Sequence, residues 1–112
     1  MADVRKTVQS ALRTGVSPAY TAAPATGSDV GLVRNDGRVI LYFKNGATNR
    51  TVTIQTPAKV AGLDVAELSV AVAANTERVV GPFPPSVFND SSQDLRFSAD
   101  AAGNLTYAAL RI

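Results

Sequence analysis

The side chains most able to take part in chemistry are the carboxylates, amides and hydroxyls of residues 89–94, which read NDSSQD. Side-chain oxygens at this density loosely match the ligands that Ca²⁺ takes in proteins. The segment lacks the Asp-x-Asp-x-Asp-Gly order and the distal bidentate Glu of a calcium loop. The sequence therefore favours an Asx-type turn, held by side-chain-to-backbone hydrogen bonds, and predicts no metal site here.

Nucleophilic catalysis is the next chemistry to consider, and it requires a hydroxyl or thiol beside a base. The chain contains no cysteine and no histidine, which removes the thiolate and the usual general base. A lysine would have to act as the base, yet none stands in the Ser-x-x-Lys spacing; the lysines are Lys6, Lys44 and Lys59. We therefore expect no hydrolase site.

Paired carboxylates are the remaining catalytic option, since a glycosidase needs two of them across a cleft. Asp36, Asp90 and Asp100 adjoin turn residues, where capping of the turn by a solvated carboxylate is the simpler interpretation. The chain also lacks a glycine-rich phosphate loop and any recognisable cofactor motif. The sequence thus predicts a protein that is not an enzyme and binds no cofactor.

Charge and hydropathy argue against two further classes, nucleic-acid-binding proteins and membrane proteins. The net charge of +2 is too small, and the arginines too scattered, for a nucleic-acid interface. No apolar run approaches the roughly 20 residues that span a bilayer, and residues 1–15 lack the apolar core of a signal peptide. We expect a soluble protein that stays in the cytoplasm after synthesis and contacts neither nucleic acid nor membrane.

The elements that must position any site divide the chain into an arm, residues 1–29, and a body, residues 30–112. The arm is rich in Ala, Thr, Ser and Pro and cannot bury enough apolar surface to fold alone. Its beginning has apolar residues at roughly helical spacing, with Asp3 as a possible N-cap. Two interpretations stay open: a disordered tail, or a helical or extended arm that orders on a neighbour.

The body reads as strands separated by turn residues. We expect strands at 38–44, 50–56, 67–75, 76–83, 94–100 and 105–112. The first two are predicted to form a hairpin across NGATN, and the fifth to turn Leu95 and Phe97 inward with Asp94, Arg96 and Ser98 outward. The spacing predicts an all-β fold, a small antiparallel β-sandwich or barrel with an extended or partly helical N-terminal arm.

Residues 81–90, GPFPPSVFND, interrupt this pattern because proline cannot donate to a strand ladder. We expect a rigid crossover between strands. Phe83, Val87 and Phe88 are predicted to face the core, since an exposed aromatic ridge is uncommon in a monomer. Pro84 and Pro85 are predicted to lie near the surface.

Three segments carry a family resemblance: VRNDGRVILYFKNG (33–46), GPFPP (81–85) and the closing ALRI (109–112). With them the chain resembles small virion proteins of tailed bacteriophages, of the capsid decoration or head-associated type, over most of residues 14–112. The resemblance implies assembly on a protein shell and no catalysis. It also gives the arm a role, because arms of virion proteins commonly order on neighbouring subunits.

The resemblance implies a capsid decoration (cement) protein that binds the assembled major-capsid shell. Its partners would be the major capsid protein and copies of itself, as a trimer or another symmetric cluster. Its location would be the capsid surface of a virion assembled in the host cytoplasm. A head–tail connector or tail component is one alternative, and a carbohydrate or host-surface binding module is another. The predicted interface residues are Val4, Arg5, Lys6, Val8, Leu12, Arg13, Tyr20, Pro84 and Pro85.

Overall fold

The computed structural model describes residues 2–25, 29–57, 59–64, 66–101 and 103–112, and their strands form two main sheets. The first sheet has the order β1 (Ala2–Lys6), β4 (Asp29–Arg34), β11 (Asp94–Ala99), β6 (Arg50–Ile54) and β9 (Leu68–Val72). The second has β10 (Glu77–Val80), β5 (Val39–Lys44), β12 (Thr106–Arg111) and β2 (Gln9–Ser10), and β3 (Thr21–Ala22) also pairs with β12.

Two small elements complete the description: a hairpin of β7 (Lys59–Val60) and β8 (Leu63–Asp64), and the one-turn helix α1 (Pro85–Phe88). Within the main sheets all pairs are antiparallel except β1 with β4 and β2 with β12. The predicted all-β sandwich is confirmed, and the described strands do not close into a barrel.

Short turns in this fold join strands of different sheets. The turns β4–β5, β5–β6, β9–β10 and β11–β12 all cross from one sheet to the other. The predicted hairpin across NGATN is therefore wrong: β5 pairs with β10 and β12, whereas β6 pairs with β11 and β9. The physical reason lies in the core: β5 and β6 each have one buried apolar face, and these two faces pack against each other across the core. Strands that lie side by side in one sheet cannot pack face to face.

A buried asparagine closes each of the first two crossing turns. Asn35, after β4, is 1% exposed. Its Nδ2 donates to Phe83 O at 3.1 Å and to Asn89 Oδ1 at 2.7 Å, and its Oδ1 accepts from the Gly37 N–H. These bonds tie the β4–β5 turn to the proline-rich crossover, so the turn cannot move independently of it.

Asn45 has the same role in the turn after β5. Its Nδ2 donates to Thr48 O at 2.7 Å and to Val72 O at 2.9 Å, and its Oδ1 accepts from the Gly46 N–H. The β5–β6 turn is thereby fastened to the end of β9. At both turns, a buried side-chain amide is therefore fully engaged with the backbone of the turn and of a neighbouring segment.

Aromatic rings fill the space between the sheets. Phe43, Phe97 and Tyr107 form a cluster with ring centroids 5.0 to 6.1 Å apart. A Cβ on Gly31 would lie 2.7 Å from Phe97 Cζ, so glycine at this position lets the ring cross the neighbouring strand. The other buried apolar residues of this core are Val33, Val39, Leu41, Val52, Ile54, Val72, Phe83, Leu95, Ala99, Leu105 and Ala109.

The proline-rich crossover behaves as predicted. Phe83 is buried and its ring packs against Phe88 at 5.3 Å between centroids. Val87 is half-buried, while Pro84 and Pro85 are exposed. Pro85 occupies the first turn of α1, where its missing N–H costs nothing.

The arm is extended, and the helical alternative is not observed. β1 runs parallel to β4 in the first sheet, and β2 and β3 then lie along β12 in the second. A further bridge joins Ala25 to Ala99. The arm therefore covers one side of the sandwich from sheet to sheet. The division of the chain near residue 29 stays a prediction.

Replacing Asn45 with alanine should lower the free energy of unfolding by roughly 2 kcal/mol, because the carbonyls of Thr48 and Val72 lose their hydrogen bonds to a buried amide. Urea denaturation of the two proteins measures the difference. Ser69→Ala, on the exposed face of β9, is the control and should change stability by less than about 0.5 kcal/mol. Equal stability of Asn45→Ala and the wild type would contradict the role given to this side chain.

Candidate interaction surface

An ion pair holds the arm to the body. Asp94 on β11 has a side chain only 3% exposed. Arg5 on β1 donates from Nη1 to Oδ1 at 2.9 Å and from Nη2 to Oδ2 at 2.7 Å. These bonds to Asp94 also raise the pKa of Arg5. Asp94, predicted to face outward, lies beside the exposed Arg34 of the neighbouring strand but is itself buried, because the bidentate Arg5 covers it.

Residues 11–18 form a projecting loop, here called the tongue. Gln9 clamps its base, donating from Nε2 to Ser17 O at 3.0 Å and accepting at Oε1 from the Ala19 N–H at 2.8 Å. The Ala11 N–H donates to Arg111 O at 2.8 Å, which fixes the tongue to the end of β12. Leu12 in the tongue is 59% exposed. The tongue thus presents an apolar side chain from a fixed base.

A groove lies beside the tongue, between β2, the β4–β5 turn and the end of β12. It consists of two adjoining cavities of about 310 and 190 Å³ that share Ser10 and Arg111. Its remaining lining residues are Val8, Ala11, Arg34, Asp36, Arg38, Val39 and Ile112. We call it the arginine groove after Arg34, Arg38 and Arg111.

Positive charge dominates the arginine groove. Arg111 Nε lies 2.7 Å from Asp36 Oδ2, and the Arg38 N–H donates to Asp36 Oδ1 at 3.0 Å. The pKa of Asp36 is lowered by the Arg38 N–H first and by the charge of Arg111 after it. The Arg38 guanidinium is exposed and meets no acceptor among the described residues. Arg34 Nε lies 3.7 Å from Asp94 Oδ1, but Arg5 already binds that carboxylate in a bidentate manner. The three guanidinium groups of the groove therefore have only Asp36 and a share of Asp94 as counter-charges.

Four of the predicted interface residues make internal contacts. Arg5 binds Asp94 as above, and Val8 packs on the core. The Lys6 ammonium donates to Ala19 O at 2.7 Å and lies 5.8 Å from the Tyr107 ring centroid. Tyr20 is half-buried, edge-on to the Tyr42 ring at 6.1 Å between centroids. These side chains attach the arm to its own body.

The other five predicted interface residues are exposed: Val4, Leu12, Arg13, Pro84 and Pro85. Leu12 and Arg13 belong to the tongue. Pro85 Cδ lies 3.3 Å from where a Cβ on Gly37 would be, so the Pro84–Pro85 ridge adjoins the β4–β5 turn that lines the arginine groove. The structure therefore brings the tongue, the groove and the proline ridge to one end of the sandwich.

Sequence reasoning missed the groove residues Arg34, Arg38 and Arg111, as well as Asp36. One signal was available, because Arg34 and Arg38 flank the turn residues NDG. Arg111 lies 73 positions after Arg38 in the sequence, and only the fold shows that the two line one groove.

The segment NDSSQD forms the Asx-type turn predicted for it. Asp90 Oδ1 accepts from the Ser92 N–H at 2.8 Å and from the Asp94 N–H at 3.1 Å. Arg96 Nη1 lies 3.3 Å from Asp90 Oδ2. In the described part of the chain, no three acidic, histidine or cysteine side chains are placed to bind one metal ion.

Comparison with known proteins identifies no relative. No known protein family, no curated protein and no solved structure matches this chain. Among the described residues, no helix is long and apolar enough to cross a membrane.

Replacing Arg5 with glutamine should loosen the arm, because buried Asp94 loses its bidentate donor. Hydrogen exchange should become several-fold faster for the amides of β1, with little change for β5 in the centre of the second sheet. Arg13→Gln, on the tongue, is the matched control and should leave β1 exchange unchanged. Unaltered β1 exchange in Arg5→Gln would show that the ion pair does not hold the arm.

Asp90 should make stability depend on pH. Burial by itself raises the pKa of Asp90, but the N–H groups of Asp94 and Ser92, together with Arg96, outweigh it and lower this pKa below its ordinary value of 3.8. The stabilisation is therefore present above pH 3.8 and lost as the pH falls through the lower, folded-state pKa. As the pH falls from about 6 to 2, the melting temperature should decrease less steeply for Asp90→Asn than for the wild type. Parallel declines would contradict this assignment.

Proposed function

We propose that this chain is a structural protein of a tailed-bacteriophage virion, a capsid decoration protein that binds the assembled major-capsid shell. The resemblance of residues 14–112 to small head-associated virion proteins supports the family. The observation that carries the proposal is the surface at one end of the sandwich, where exposed Leu12 and Ile112 flank the arginine groove.

This surface has the chemistry of a protein-binding site. Arginine is enriched at protein interfaces, and apolar side chains at their centre supply the burial. Leu12 and Ile112 are 59% and 54% exposed, so both have surface left to bury against a partner. The charge of the arginine groove specifies a partner surface rich in Asp and Glu. An acidic patch of the shell is the partner that we infer.

The surface is also prepared for binding before a partner arrives. Gln9 fixes the base of the tongue through Ser17 and Ala19, and the Pro84–Pro85 ridge has its φ angles set by the rings. A partner therefore has to order few further torsions, which lowers the entropic cost of docking.

A decoration protein of this kind acts by mass action. A protein that binds the assembled shell, and not its separate subunits, stabilises the shell in proportion to its occupancy. Many identical sites on one shell would multiply a modest stabilisation per site. Catalysis has no part in this mechanism.

Binding to purified phage heads tests the proposal. Arg38→Glu and Leu12→Asp should each weaken co-sedimentation with heads about tenfold, since each places an unpaired carboxylate in the interface. Ala101→Glu adds a negative charge to an exposed turn and should bind as the wild type does. Electron microscopy of decorated heads should show the protein distributed over the shell.

Three results would overturn the proposal. Density confined to the neck would make the chain a head–tail connector instead. Binding of the purified protein to glycans, with no affinity for heads, would make it a carbohydrate or host-surface module. Equal binding by the wild type and both interface variants would remove the groove and tongue from the interface.

A further inference from the structure

Among the described strands, β9 has the least protected outer edge. β9 ends the first sheet, and no described residue forms a ladder with its outer side. Its residues read LSVAV, without charge or proline, and Leu68 is 37% exposed. The other terminal strands are protected by charged residues or shortness: β1 has Arg5 and Lys6, β10 has Glu77 and Arg78, and β2 has two residues. Proteins normally block a free edge in these ways because it pairs readily with other strands.

The backbone groups available for pairing can be identified. The Gln55 N–H donates to Arg96 O and the Asp100 N–H to Thr51 O, so the odd-numbered residues of β6 direct their backbone groups to β11 and the even-numbered ones to β9. The residues of β9 that pair with these even-numbered residues, Leu68, Val70 and Val72, therefore direct theirs to β6. In a strand, every second residue directs its N–H and C=O to the same side, so Ser69 and Ala71 direct theirs to the free edge. An incoming antiparallel strand would find donors and acceptors at these alternate positions.

Opposite charges lie at the two ends of this edge. Glu67 precedes β9 and is exposed. Arg78 is exposed and lines a recess of about 270 Å³ with Val72 and Ala73, at the other end of β9. Neither charged side chain has a hydrogen-bond or ion-pair partner among the described residues. An antiparallel copy of the same strand would reverse this order of charges along the edge.

We propose that β9 pairs antiparallel with β9 of a second copy of this chain, about a two-fold axis at Val70. Leu68 then lies opposite Val72 of the second copy, which covers its exposed surface. Glu67 comes opposite Ala73 of the second copy and next to its Arg78, and the same contact recurs across the axis. The two five-stranded sheets become continuous through the dimer.

A second copy fits this edge better than an unrelated strand. It supplies an uncharged strand of equal length and a complementary charge at each end at the same time. Outward-facing Ser69 lies opposite small, outward-facing Ala71, so no side chains collide on the exposed face. The pairing does not depend on the proposed virion function.

Sedimentation of charge variants tests this pairing. The wild type should be a reversible dimer, and Glu67→Arg and Arg78→Glu should each raise its dissociation constant about tenfold by placing like charges together. Combining the two substitutions exchanges the charges and should restore the wild-type constant. Circular dichroism controls for folding. A wild type that stays monomeric, or a dimer that all three variants leave unchanged, overturns the proposal.

Engineered cysteines test the register independently, because the chain has none of its own. Ser69 and Ala71 of the second copy form a hydrogen-bonded pair, whose Cα separation of about 5.5 Å suits a disulfide. The double variant Ser69→Cys/Ala71→Cys should oxidise to a covalent dimer, and each single variant should cross-link far less. Single variants that cross-link as well as the double variant would refute the register.

Discussion

The crossing turns are the constraint on which the rest of this structure depends. A turn that leads from one sheet to the other takes the chain out of the ladder that it leaves, so its backbone groups need other partners. Asn35 and Asn45 supply them by accepting from the N–H groups of Gly37 and Gly46. Their Nδ2 groups donate to Phe83 O and Val72 O, so the two amides also tie these turns to the proline-rich crossover and to β9.

The proposed interaction surface follows from this arrangement. When consecutive strands alternate between sheets, their turns collect at the ends of the sandwich, and residues from distant parts of the chain become neighbours there. Arg38 comes from a crossing turn, Arg111 from the end of β12, and Ser10 from the arm. The bidentate bond of Arg5 to Asp94 holds β1 in place, and the tongue that continues from the arm is thereby given a fixed position beside the groove.

Much of the fold could be predicted from the sequence, because alternation of apolar residues identifies a strand and its buried face without knowledge of its partners. Leu95, Phe97 and Tyr107 illustrate this, since all three are buried as their spacing indicates. Pairing could not be predicted, because a short turn such as NGATN is equally compatible with a hairpin and with a crossing turn. Burial of Asp94 could not be predicted either, since its partner Arg5 lies 89 residues away. The groove was not predicted because only the fold brings Arg111 beside Arg38, whereas the exposure of Leu12 and Pro85 follows from local composition.

The pairing of β2 and β3 with β12 has a consequence for the order in which the molecule assembles. Gln9 in β2 pairs with Leu110, and Thr21 in β3 pairs with Tyr107. β2 and β3 therefore cannot form these ladders until β12 has been synthesised. Such ladders between sequence-distant strands close slowly, because the chain must search a large volume before any bond forms. During translation, β2 and β3 therefore stay unpaired with β12 at least until residues 106–111 have been synthesised.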